Sequence, residues 1–110
     1  LQDAFAGLVE QYYALFLATP VMRDIWSGTQ ADPELRALEL KESRACAALL
    51  GAIMACLHPA VPRHRIDATA LLVWQLGEAA MRLAISLDRS EGDDVVEAYK
   101  RMTRHTLAQP

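Results

Sequence analysis

Much of what usually advertises an active site is missing from this 110-residue chain. Its five glycines are scattered, so no phosphate-cradling loop forms, and neither a Walker-type nor a dinucleotide-binding pattern occurs. No C-x-x-C, H-E-x-x-H or E-x-x-H pairing is present, and no serine or threonine stands in a recognisable nucleophile context. Catalysis and bound cofactors or metals are therefore not expected. Positive charge is also short: 11 Lys and Arg face 14 Asp and Glu, a net charge of −3. That balance argues against a grip on a phosphate backbone, and the "RHR" at 63–65 reads as a solvated loop. No apolar run approaches the ~20 residues that a bilayer span needs. Leu1 carries neither an initiator methionine nor a signal sequence, so the chain is expected to be a cut piece of a cytoplasmic protein. The two cysteines, Cys46 and Cys56, sit ten residues apart in one helical pattern and cannot pair within it. Reduced core thiols are the expectation.

What the chain has instead is apolar bulk. The residues AVILMFWYC make up 53% of it, a large share for a domain this small. Such an excess implies burial against a twin subunit or a ligand. No period-two alternation bounded by hairpin turns appears, and the pattern is helical throughout. The fold class expected is an all-α bundle of one short and four longer helices in a single domain over 1–110.

A first helix over about 1–18 carries Leu1, Phe5, Leu8, Tyr12, Leu15 and Phe16 on one stripe, with Asp3 and Glu10 opposite, and stops at Thr19-Pro20. A short helix over 20–27 ends at Gly28; on so small an element, Trp26 and Ile25 would serve as anchors. Asp32-Pro33-Glu34 is the clearest helix start in the chain: a side-chain cap, a proline suited to the first turn, and an acid facing the dipole. That helix should run to about Leu57, burying Leu35, Leu38, Cys46, Leu49, Ile53 and Cys56, with Glu42 on the same face. The next, about 66–87, is apolar around most of its circumference. Leu72, Leu76, Leu83 and Leu87 make one stripe, and Val73, Gly77, Ala80 and Ala84 make an adjacent small-residue stripe. "DRSEGDD" at 88–94 breaks the chain, with Ser90 or Asp93 as cap, and a last helix over about 93–107 buries Val95, Tyr99, Met102 and Thr106.

Binding sites for small apolar molecules lie between bundle helices, lined by aromatics with a few orienting polar groups. The candidate walls are Tyr12, Phe16, Met22, Trp26, Glu42, Leu49, Ile53, Trp74, Glu78 and Met81. Plain core packing competes for Phe16, Leu49, Ile53 and Met81. The more telling residues are Glu42 on an apolar face and Glu78 beside Trp74, because a carboxylate there is costly unless paired or hydrated. Arg23, Arg44 or Arg82 could supply such a pair. A metal site drawn from Cys56, His58, His64 or His105 lacks the tight paired spacing of tetrahedral zinc sites.

The order "YYALFLATPVMRDIWSGTQADPELRALELKES", a long apolar helix, "ATALLVWQLGEAAMRLAIS" and "VVEAYKRMTRHTL" resembles the C-terminal domain of TetR/AcrR-family transcriptional regulators. The resemblance covers essentially the whole chain. It implies a homodimer pairing through the last two helices, with Val73, Gly77, Ala80, Ala84, Val95, Tyr99, Met102 and Thr106 as candidate interface residues. It also implies a cavity for a small, largely apolar effector, and DNA contact only through an N-terminal head absent from this sequence. The competing expectations are a helical protein-interaction module without a small effector, and a metal- or haem-dependent helical enzyme using His58, His64 or His105.

Overall fold

A computed structural model describes residues 1–19, 21 and 31–110. Among them are four helices and no strand: α1 (Gln2–Ala18), α2 (Pro33–Leu57), α3 (Arg63–Ser86) and α4 (Arg89–Ala108). The all-α expectation holds; the short helix expected over 20–27 lies outside the described residues. No described helix is long and apolar enough to cross a membrane.

Local chemistry explains the ends. The Asp32 carboxylate accepts hydrogen bonds from the amides of Glu34 (2.9 Å) and Leu35 (3.3 Å), and Pro33 takes the first turn of α2. The Thr19 amide closes α1 on the Leu15 carbonyl at 3.1 Å. Two boundaries differ from expectation. Arg63–Arg65 belong to the first turn of α3, where Arg63 pairs with Asp67 at 2.9 Å and Arg65 reaches the Pro110 carbonyl at 3.0 Å. The last helix starts four residues early, because Asp88, not Ser90 or Asp93, is its cap and accepts from the Glu91 amide at 2.9 Å. Gly92, read as a break, lies inside α4. A Cβ there would stand 2.5 Å from the Ala84 carbonyl oxygen at the end of α3, so the missing side chain lets the two helices turn tightly into each other.

α3 is the hub. It packs against α2 and α4, and α1 lies against α4 with a lighter contact on α3. Met54, Ile66, Ala70, Val73, Ala84, Val96 and Leu107 form the centre of the core. The stripes that turn inward are Phe5, Ala6, Val9 and Tyr13 on α1, Ser43, Ala47, Leu50, Gly51 and Met54 on α2, and Gly92, Val96, Tyr99, Thr103 and Leu107 on α4. On α1, α2 and α4 the buried stripe is therefore rotated by about one residue, roughly 100°, from the expected one. Leu49 is 70% exposed, Ile53 49% and Met102 63%, while Leu35, Leu38 and Cys56 are also exposed.

Polar contacts explain part of the rotation. Asp3 and Glu10, expected to face outward, pair with α4 instead: Arg104 Nη1 lies 2.5 Å from Asp3 and Lys100 Nζ 2.5 Å from Glu10. The Tyr13 hydroxyl donates to Asp93 at 2.8 Å, which swings Tyr13 rather than Tyr12 against α4. The surface pairs contribute little energy singly, but they set the register of α1 beside α4.

The small-residue stripe of α3 is also inward. Val73 and Ala84 are buried within this chain, Ala80 packs on the same core, and a Cβ on Gly77 would meet the Tyr99 hydroxyl at 2.8 Å. That hydroxyl donates to the Val73 carbonyl at 2.5 Å. Val73, Gly77, Ala84 and Tyr99 thus join α3 to α4 inside the subunit and are not a free face. The Cα envelope of the described residues measures 43 × 33 × 15 Å. With helices 8–10 Å apart, that thickness allows no more than two layers, so every helix keeps an outward side.

Candidate functional site

Rotation of the helices opens a cavity of about 500 Å³ between α1, α2 and α3, with one residue from α4. From α1 it takes Phe5, Leu8, Val9, Tyr12 and Phe16; from α2, Leu35, Leu38, Glu39 and Glu42. From α3 come Trp74, Gly77, Glu78 and Met81, and Tyr99 completes the wall. The size is that of a small-molecule site.

Six of the residues named from sequence meet here: Tyr12, Phe16, Glu42, Trp74, Glu78 and Met81. Leu49 and Ile53 do not line it; they sit on the outer side of α2, exposed to solvent. Met22 and Trp26 lie outside the described residues. Sequence reasoning missed Phe5 and Leu8, although it placed both on the right stripe of α1, and missed Tyr99 by assigning it to a dimer face. Leu35 and Leu38 were expected in the core and instead line the cavity from exposed positions. Glu39 joins them from a half-buried position on α2.

The aromatic wall is held by ring contacts. Phe5 meets Trp74 edge-on, with centroids 6.5 Å apart and planes at 66°, and lies 6.4 Å from Tyr99. Tyr99 is fixed by its bond to Val73, and burial pushes its phenol well above the ordinary tyrosine range, so it remains a neutral donor.

The polar end is built from α2 and α3. Ser43, buried on α2, donates its hydroxyl to Glu78 at 2.5 Å. Burial pushes the Glu78 carboxyl above the usual carboxylate range; the Ser43 bond opposes this, while the neighbouring Glu39 carboxylate adds to it. Arg82 stands 4.0 Å from Glu39 and draws the other way more weakly. Glu42, one turn along α2 from Glu39, adds a third carboxylate to the same wall.

A raised carboxyl binds its proton more tightly in the folded protein than in the unfolded chain. Its contribution is therefore most favourable below the ordinary value of 4.5 and is lost as pH rises through the folded value. Melting temperatures of the parent protein and Glu78→Gln, measured from pH 4 to pH 8, should show the variant gaining on the parent as pH rises. Asp3, Asp93 and Glu97, each held low by a cation or tyrosine partner, push the absolute curves the opposite way and cancel in this difference. A pH-independent difference would remove the raised Glu78 from the picture.

The histidine alternative finds no support in the geometry. His58 Nε2 donates to the Leu107 carbonyl at 3.0 Å, pinning the end of α2 to α4, and no metal-holding cluster of His, Cys, Asp and Glu occurs among the described residues.

No curated protein and no solved structure gives a significant match to the chain. The family described as "Tetracyclin repressor-like, C-terminal domain" matches residues 1–110, its full length. On that match over residues 1–110, this chain belongs to the tetracyclin repressor-like C-terminal domain family.

Proposed function

We propose that this chain is the ligand-sensing and dimerising part of a transcription regulator, one that leaves DNA when a small, largely apolar molecule fills the cavity. Domains of this family belong to transcription regulators, and DNA contact would fall to a segment outside this chain. The carrying observation is the cavity itself: about 500 Å³, aromatic on one side, bounded by three helices whose separation an occupant would change. α1 and α2 meet mainly through this space, so filling it would move them relative to each other more readily than it would move the α3–α4 pair.

A thermal-shift screen with small aromatic and alicyclic compounds tests the site. A ligand at a hundred times its dissociation constant stabilises by about 2.7 kcal/mol, which is readily seen. Leu8→Trp enlarges a half-buried wall residue and should abolish the shift while leaving the unliganded protein folded. Equal shifts in parent and variant would place binding elsewhere.

Dimerisation is read differently from the resemblance alone. The large apolar residues left exposed on α3 and α4 are Leu72, Leu76, Leu83 and Met102. Leu72, Leu76 and Leu83 recur along one side of α3 at offsets 0, 4 and 11, the spacing of a helix-pairing stripe. Of the interface residues expected from sequence, Met102 stays free to meet a second copy, and Val95 and Thr106 are only partly covered.

A further inference from the structure

The cavity's charge is one-sided. Among the described residues that line it, Glu39, Glu42 and Glu78 are carboxylates and none is Lys, Arg or His. Arg82, 4.0 Å from Glu39, offsets one of these charges, so among the described lining residues acid exceeds base. The three carboxylates gather where α2 faces α3, whereas Phe5, Trp74 and Tyr99 pack on one another along the rest of the wall. We infer that the cavity takes an organic monocation, a flat or branched apolar body bearing one protonated amine or quaternary ammonium, with the charged nitrogen among Glu39, Glu42 and Glu78. This assignment rests on reading the cavity as a ligand site.

Each alternative chemistry meets a cost. An anion would be repelled by the acidic end. A neutral apolar molecule that covered the carboxylates would strip their water and give nothing back. An ammonium returns charge-assisted hydrogen bonds to them.

Three probes with one fluorescent body and different charge separate these cases: pyrenylmethylamine, pyrenylmethanol and pyrenecarboxylate, titrated against the purified protein at neutral pH. The amine should bind at least about tenfold more tightly than the alcohol, with the carboxylate weakest, as expected when one charge-assisted hydrogen bond separates them. Glu42→Gln, at an exposed position where folding is indifferent to the change, and Glu78→Gln should each shrink the amine-to-alcohol ratio several-fold. Equal binding of amine and alcohol to the folded protein overturns the cationic class yet leaves the cavity as a ligand site. Failure of all three to bind, with the helical spectrum intact, overturns the ligand site and this assignment together.

Discussion

Gly92→Ala is expected to lower the melting temperature by roughly 10 °C. The new Cβ would stand 2.5 Å from the Ala84 carbonyl oxygen and 2.9 Å from the Tyr13 hydroxyl. The first neighbour is backbone at the end of α3 and cannot swing aside; the second is bonded to Asp93 at 2.8 Å. Relief therefore requires α4 to move away from α3 and α1 together. Overpacking of this kind costs about 1–3 kcal/mol or more, against roughly 1 kcal/mol that alanine returns through helix propensity. Calorimetry or circular dichroism settles the sign, since a variant melting at or above the parent would mean that the α3–α4 turn is looser than described. Gly77→Ala should be milder, because its neighbour at 2.8 Å is the tip of the Tyr99 side chain rather than backbone.

Leu72→Glu combined with Leu76→Glu is expected to weaken self-association by two orders of magnitude or more. Burying one leucine contributes about 1.5–3 kcal/mol, so losing two, and placing carboxylates against a twin stripe, removes most of what a helix-pairing face supplies. Both positions are exposed in the single subunit, so the helical spectrum and melting should change little. Light scattering at micromolar concentration should find a dimer in the parent and a monomer in the variant. A parent that is already a monomer would assign the stripe to a different protein, the helical-adaptor alternative. Bulky residues at Gly77 or Ala84, by contrast, should destabilise the subunit itself, because Ala84 is buried in its core and a Cβ on Gly77 already meets the Tyr99 hydroxyl at 2.8 Å.

The cavity was partly legible in the sequence. Glu42 and Glu78 stand out in the sequence as carboxylates among apolar neighbours, and both line it; Trp74 and Met81 are read from the apolar edge of α3, and Tyr12 and Phe16 from the apolar stripe of α1. Leu49 and Ile53 carried the same apolar signal and ended outside, on the solvent side of α2. Residue type does not separate these cases. An isoleucine looks alike to a core, a ligand cavity and a partner helix, whereas a carboxylate tolerates only places where water or a partner charge can reach it.

The helices and several of their ends follow from local chemistry alone, because capping acts within one turn: Asp32 and Pro33 start α2, Thr19 closes α1, and His58-Pro59 stops α2. Composition also determines that apolar surface exceeds what one small subunit can hide. Only the tertiary structure decided which of two adjacent apolar stripes turns inward. Val9 against Leu8, Leu50 against Leu49 and Val96 against Val95 differ by 100° on a helix and hardly at all in hydrophobicity. The choice fell to contacts remote in sequence, among them Glu10 with Lys100, Tyr13 with Asp93, and Gly92 against Ala84, which set each helix's rotation only once its neighbours were in place.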